Sequence, residues 1–570
     1  MTTTNQPISS SRLAEILAKL KADKATTPVA GNSGVMTAET PYDTNSAVVA
    51  TSSSVTPSIQ YNEKQREFVE LATQGKSCVL IGAAGTGKTT CMEGVATSLI
   101  QSGIAGKYVD DGHKYLTNGS PGIVIVAFTR RAVANIRKRM PADLKKNCLT
   151  IHSLLEFEPV FDEVFDPVTG KDKKTMEFLP KRDAYFPLSP TIHTVIIEES
   201  SMVSGTPFPQ DTSLLFNRLV AALPHRPQFI YLGDIQQLPP VFGAAILGFK
   251  MLEHPVVELT EVYRQALESP IIRLAHRILS GVPIQVEEFP QWKVEGKLTL
   301  HNWKKKISAE DALNTITAFF NQALDKGIYN PDEDIILIPY NKSCGTDELN
   351  KGLASHIAKT QKKVVYEIIA GFNKLYFSVG DKIMVDKEDA WITRIEKNPQ
   401  YVGKNYQAPS EHLNYWGYNS EGVKMEHTDL TEEDMDMILE RFANSSSDVE
   451  ERVTQASHKL YFTRVKGDTT VEQSLITAGE LNSVLLGYAL TVHKSQGSEW
   501  RKVFCIFHQS HAAMISRELL YTAVTRAREE LYVICEPNTF VNGINNQRIK
   551  GNSLEEKAEF FKGKLDKLGN

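Results

Sequence analysis

Cysteine is scarce in this chain, and the way its few copies are spread excludes several classes at once. Cys78, Cys91, Cys148, Cys344, Cys505 and Cys535 are the only six in 570 residues, and no two form a C-x-x-C pair. Such spacing gives neither a disulfide framework nor a zinc site, and it fits reduced core thiols in a cytosolic chain. Long hydrophobic runs are lacking too. No apolar stretch approaches the ~20 residues that a bilayer-spanning helix needs. The N-terminal run MTTTNQPISSS has neither a basic n-region nor an apolar h-region, so no secretory signal is expected. A charge excess is also missing. The net charge of −5 gives no global sign of nucleic-acid binding, so any such contact must rest on local basic and polar groups. No repeat of 20–50 residues is found. The length implies two to four domains.

What is present is sharper. An apolar run, Cys78-Val79-Leu80-Ile81, leads into Gly82-Ala83-Ala84-Gly85-Thr86-Gly87-Lys88-Thr89. This is G-x-x-x-x-G-K-[ST] between a strand and a helix, and it fixes the ligand class as a nucleoside triphosphate with Mg²⁺. Glycines let the backbone N–H groups of the loop wrap phosphates. Lys88 is placed to reach the β- and γ-phosphates, and the Thr89 hydroxyl to ligate Mg²⁺. The helix from Thr90 turns its positive end toward the same anion.

The rest of the chain alternates short apolar runs with helical stretches. The runs at 78–81, 122–128, 194–198, 228–232 and 256–259 predict one parallel sheet covered by helices. Those at 335–339, 484–490, 503–507 and 531–535 predict a second α/β domain. Two segments interrupt the pattern. Within 156–190, strand-like runs at Val160–Phe165 and Thr175–Leu179 flank the turn-rich stretch 166–172, which predicts a projecting β-hairpin. Residues 381–483 form a longer insertion. It holds an aromatic patch (Tyr401, Tyr406, Tyr415, Trp416, Tyr418) and a helix capped by Thr431 with Met435, Ile438, Leu439 and Phe442 on one face. A small accessory domain with a solvated acidic face accounts for it better than base stacking does.

Both ends carry isolated helices. Residues 1–59 read as a disordered tail in which Ser10 caps a stripe of Leu13, Ile16, Leu17 and Leu20. That helix is either a docking peptide or a transient helix with no partner. In 541–570, Ser553 with Glu556 makes a capping box before Leu554, Phe561, Leu565 and Leu568, a stripe that packs on the body or binds a partner.

A phosphate loop alone does not separate kinases, GTPases and motors. The strand Thr194–Ile197 runs into Glu198-Glu199, with Glu198 assigned to the metal and Glu199 to the base that activates water. After another strand, Gly233-Asp234-Ile235-Gln236-Gln237-Leu238-Pro239-Pro240-Val241 places a glutamine where it can sense the γ-phosphate. Arg264 beside Tyr263, and Arg526 in Tyr521-Thr522-Ala523-Val524-Thr525-Arg526, are candidates for the positive charge that phosphoryl transfer needs. An arginine from the second domain would tie hydrolysis to closing of an interdomain cleft.

With these motifs in this order, residues 60 to 540 resemble superfamily 1 DNA helicases, in particular the 1B branch of RecD-like and phage Dda-like enzymes. Gln65 stands where the family reads adenine, and Gly82 to Thr89 form its motif I, with Thr90 after it also at the nucleotide. Thr129-Arg130-Arg131-Ala132 resembles motif Ia, and Thr150-Ile151-His152-Ser153 the element that follows it. Glu198-Glu199 resembles motif II, and 233–241 motif III with Gln237 as the γ-phosphate glutamine. Arg264 matches motif IV, with Tyr263 at an adenine-stacking position. Tyr488 to Glu499 is similar to motif V, including Gly497 and Glu499 at the nucleotide, and Arg526 lies in motif VI. Ile338-Pro339-Tyr340-Asn341 and Gly380-Asp381-Lys382 also resemble RecD-family elements. One departure is Glu198, where the family has aspartate, one methylene shorter.

The resemblance implies two RecA-like P-loop domains with parallel sheets. They are 1A over 60–265, carrying the 156–190 hairpin as a 1B pin, and 2A over 266–380 with 484–540. The insertion at 381–483 takes the place of an SH3-like 2B domain. ATP and Mg²⁺ are the implied cofactors, and single-stranded and forked DNA the implied partner. DNA contacts are expected at Thr129, Arg130, His152, Asn341, Thr491, His493 and Lys494, although core hydrogen bonding is the alternative for the two histidines. Travel from 5′ to 3′, a monomer, a cytoplasmic place in a bacterium or phage-infected cell, and replication proteins docking on the terminal helices complete the expectation. A translocase that strips proteins with little unwinding shares every ATPase motif. A nucleotide-gated binding module would share the phosphate loop but has no use for motifs V and VI. RNA stays open as a substrate, and no nuclease-like carboxylate cluster is found.

Overall fold

The computed structural model describes residues 61–103, 122–166, 171–208, 211–241, 243–262, 268–285, 287–288, 297–302, 308–371, 373–385, 388–401, 455–466 and 469–569. The N-terminal tail and its stripe, the hairpin turn at 167–170, Tyr263, Arg264, the aromatics from Tyr406 to Tyr418 and the helix after Thr431 lie outside them. The chain divides into two compact units. Of the described residues, the first takes in those from 61 to 302, 323–329 and 495–569, and the second those from 308 to 322 and from 330 to 494. This division groups residues 495–569 with the phosphate loop.

The first unit is built on a six-stranded parallel sheet. Its strands are β1 (Cys78–Gly82), β2 (Ile123–Ala127), β3 (Cys148–Thr150), β6 (Thr194–Ile197), β7 (Gln228–Gly233) and β8 (Val256–Leu259), ordered β8-β1-β7-β6-β2-β3. Between β3 and β6 the chain makes the hairpin of β4 (Phe157–Asp166) and β5 (Lys171–Pro180), antiparallel with Phe157 opposite Pro180 and Asp166 opposite Lys171. All five residues of β1 and of β2 are buried, as the unbroken apolar runs require of a sheet covered on both faces. Helix α1 (Glu63–Thr73), α2 (Lys88–Gln101) and α3 (Arg130–Arg139) supply Phe68, Val95 and Ile136 to the core on one face. On the other, α4 (Ile246–Glu253) supplies Ile246 and Phe249.

The same unit holds three more parallel strands, β9 (Leu298–Asn302), β10 (Trp500–Phe507) and β11 (Ala527–Cys535), with β11 between the other two. Helix α5 (Pro270–Leu279) and α6 (Arg517–Val524) pack together. The C-terminal helix α7 (Leu554–Gly569) packs on α4, with Phe561 in the core. Of the predicted stripe, Leu554 and Leu565 join that core while Leu568 stays half exposed. Ser553 accepts the Glu556 N–H, but Glu556 reaches back to the Asn552 N–H, so the capping box is shifted by one residue.

In the second unit, Ile335–Ile338 pairs in parallel with Ala489–Thr491. The apolar run 484–490, predicted as one strand, is two. Leu485–Leu486 pairs antiparallel with Lys382–Val385. The chain breaks at Gly487, whose N–H bonds Lys382 O, and Tyr488, whose hydroxyl bonds Asp381. Ala489 then restarts, with its N–H and C=O both held by the Asn350 amide. Strands 382–385, 388–397, 455–466, 469–477 and 485–486 form one antiparallel sheet, and 365–370 with 373–378 a separate ribbon. Antiparallel structure therefore begins near residue 365, ahead of the predicted start at 381. No described helix is long and apolar enough to cross a membrane.

Candidate active site

The parallel order brings the motifs to one edge of the first sheet. β1, β7, β6, β2 and β3 all point the same way, so the residues that follow each strand gather at their carboxyl ends. The phosphate loop follows β1, Glu198-Glu199 follow β6, Asp234 to Gln237 follow β7, Thr129 follows β2 and His152 follows β3.

Glycine is needed in the loop at three places. Gly85 and Gly87 have φ of 82° and 88°, the left-handed region. A Cβ on Gly82 would stand 2.4 Å from Thr86 Oγ1. The Lys88 ammonium donates to Gly82 O at 2.7 Å and Ala83 O at 3.2 Å, so the loop curls around its own lysine. Gln65 is buried, caps α1 with Asn62, and donates from its amide to Thr86 O at 3.3 Å. It is therefore built into the wall of the loop.

Glu198 and Glu199 are half-buried side by side. Burial, then the Glu199 charge, push the Glu198 carboxyl up to about 8, while Lys88 and Arg526 pull it down. Glu199 is likewise raised by burial and lowered by Arg526 and Lys88. Its backbone sits at φ 53°, a strained setting for a non-glycine residue, and its buried Oε2 has no hydrogen-bond partner. Glu499 and Asp234 add negative charge around it. Two cations thus face an excess of carboxylates, and an orphaned carboxylate oxygen remains. That donor set suits Mg²⁺, which binds one or two carboxylates and fills its other positions with water and phosphate oxygens. Among the described residues no three such side chains converge as a ready-made metal cluster. Gln237 is also buried, with its Oε1 unpartnered.

Residues 495–526 complete the edge. Arg526 is buried, its guanidinium anchored on Thr522 O at 2.9 Å, Ser498 O at 3.2 Å and Thr525 Oγ1 at 3.2 Å. Gln496 donates to Leu238 O at 2.7 Å, and Thr522 Oγ1 accepts the Leu238 N–H at 2.9 Å. Gly497, at φ 73°, has no room for a Cβ, which would meet Thr129 Oγ1 at 2.5 Å. The Arg131 guanidinium lies over the Trp500 ring at 5.0 Å. Sequence reasoning passed over Tyr521, which contacts the loop directly. The only signal for Tyr521 was its place five residues before Arg526.

The expected DNA contacts fall in both units. Thr129 caps α3 by accepting the Ala132 N–H, and Arg130 is exposed beside it. His152 lies between the rings of Phe128 and Phe157, at 5.8 and 4.9 Å. In the second unit Asn341 accepts from Thr346, and Thr491 from the Lys494 N–H. His493 is partly buried, and burial lowers the Lys494 ammonium below its ordinary range.

Residues 65–243 match the family described as AAA domain, and residues 486–534 the UvrD-like helicase C-terminal domain. The ATP-dependent RecD2 DNA helicase of Deinococcus radiodurans is 25% identical over 83% of this chain and 48% of its own length. The ATP-dependent DNA helicase dda of Enterobacteria phage T4 is 25% identical over 80% of this chain and 93% of its own. The chain spans about half the length of the RecD2 relative. The crystal structure of Pif1 helicase from Candida albicans aligns over 89% of this chain and 99% of that one at 15% identity, with a TM-score of 0.40, too loose to argue from. The chain thus resembles the RecD-like and Dda-like helicases that its motifs suggested, and its α/β fold with parallel sheets is as expected.

Proposed function

We propose that the protein is an ATP-dependent DNA helicase or translocase of the superfamily 1B kind, moving on single-stranded DNA from 5′ to 3′ and unwinding duplex DNA. The observation that carries this reading is the half-buried Glu198-Glu199 pair, one of its oxygens buried and unpartnered, in the fields of Lys88 and Arg526 at one sheet edge. The γ-phosphate would lie among Lys88, Gln237 and Arg526. Glu199, with a buried oxygen left unpartnered, takes the proton of the attacking water. Mg²⁺, held through Glu198 and Thr89, would supply charge neutralisation on the phosphate oxygens. Arg264 and Tyr263 belong to the proposed site on the strength of motif order alone.

Hydrolysis removes the anion that Lys88 and Arg526 share. The α6 segment then loses its hold, and Gly497, packed on Thr129, carries the change to the α3 cap where a DNA phosphate would bind. Phosphate contacts grip without reading sequence, as a motor requires. Polarity rests on resemblance to the 1B branch. Unwinding of duplexes with only a 5′ or only a 3′ single-stranded tail, with and without ATP, tests activity and direction together. ATP-dependent opening of the 5′-tailed duplex alone is expected. No ATP consumption in the presence of single-stranded DNA overturns the reading.

A further inference from the structure

The phosphate loop is tied to a distant helix by one phenol. The Ala84 N–H donates to Tyr521 Oη at 2.8 Å, and Tyr521 Oη donates to Asp234 Oδ2 at 2.5 Å. The directions are fixed. An amide N–H can only donate, a carboxylate only accepts, and a phenol has one proton to give. Tyr521 is fully buried, and burial with the Asp234 charge holds its pKa well above the ordinary range, so the proton stays. The helix of Tyr521 also takes the Leu238 N–H through Thr522, and Thr522 O anchors the Arg526 guanidinium. Loop, β7 end and arginine are therefore registered to one another within two residues of α6.

We propose that Tyr521 is a positioning residue for phosphoryl transfer: its hydroxyl, bridging the Ala84 amide and the Asp234 carboxylate, sets the placement of Arg526 relative to the phosphate loop. This rests on the ATPase reading above. The hydroxyl is not needed to hold the ring, because the ring is packed on all sides. Its loss leaves a part-buried N–H and a buried carboxylate oxygen without the partner they share.

The test is Tyr521→Phe, assayed for DNA-stimulated ATPase. The expected result is a fall in kcat of about tenfold or more, with KM for ATP within about threefold of the parent. A fluorescent ADP analogue should still titrate one site per chain, which separates a slow enzyme from a misfolded fraction. The decisive comparison is the background of Arg526→Ala. If Tyr521 acts through the arginine, adding Tyr521→Phe there changes single-turnover hydrolysis by less than about twofold. A multiplied loss in that background, or a parental kcat for the single variant, overturns the proposal. Should Tyr521→Phe fail to fold, Asp234→Asn replaces it, since an amide oxygen still accepts from the phenol. It should give a smaller kcat loss that is likewise silent beside Arg526→Ala, and a multiplied loss refutes the idea. Lys88→Ala run alongside separates the two levels. Parental hydrolysis by Lys88→Ala sinks the ATPase reading itself, while a dead Lys88→Ala with a parental Tyr521→Phe sinks only this inference.

Discussion

The C-terminal helix gives the most quantitative expectation, through Phe561→Ala. Phe561 is 1% exposed and lies edge-on to Phe249 of α4 at 5.6 Å and to Phe560 at 5.5 Å. The approach is close because residue 248 is glycine, where a Cβ would stand 2.2 Å from the ring. Phe→Ala at a buried site costs about 3–5 kcal/mol in lost transfer energy and cavity. Unfolding entropy is about 2.1 cal/mol/K per residue, so roughly 300 ordered residues in the first unit give about 0.6 kcal/mol/K. The ratio predicts a fall in that unit's Tm of about 5–8 °C, read by differential scanning calorimetry at one fixed scan rate. ATPase at 25 °C should be little changed, because α4 lies on the face away from the phosphate loop's helix α2. A Tm fall under about 2 °C would refute the claim that this helix is part of the core, and would favour a helix waiting for a partner.

Other outcomes follow from the site and its surroundings. Arg526→Ala should lower ATPase by about 10³–10⁵ if the guanidinium meets transition-state charge, and a loss under tenfold would remove it from that role. In metal-free protein the folded state holds Glu198's proton up to about pH 8, whereas the ordinary carboxyl releases it near 4.5. The folded state thus binds more protons across that window, and stability falls as pH rises through it. Glu198→Gln should therefore gain in Tm over the parent progressively from pH 5 to pH 8.5, and a flat difference contradicts the burial argument. All six thiols are buried, with Cys78, Cys91 and Cys148 pushed up to about 12, so a thiol reagent at pH 8 should find essentially none in native protein and six after denaturation. Prompt reaction of one or more native thiols would place that cysteine outside the core.

Much of this protein could be read from neighbours along the chain. The strand-loop-helix of Cys78 to Gln101 needed only an apolar run, glycines at the turns and a lysine at the helix start. Glu198-Glu199 and Gly233-Asp234 were found because each follows an apolar strand by a residue or two, and parallel pairing then puts strand ends on one edge. The hairpin strands likewise followed from apolar runs around a turn-rich stretch. Periodicity failed where a contact from far away chose the structure. In the run 484–490 the one local sign of a break is Gly487, and it does not say that Lys382, Asp381 and Asn350 divide the run between two sheets.

Composition and local pattern, then, were enough to determine an α/β chain with a nucleotide loop and its paired carboxylates, since backbone geometry and side-chain spacing act over a few residues. Tertiary structure alone decided who satisfies the buried polar groups at that loop. Ala84 and Tyr521 are 437 positions apart, and Leu238 and Gln496 are 258 apart. A buried N–H must find an acceptor wherever packing provides one, and nothing in the order of residues says which acceptor that will be.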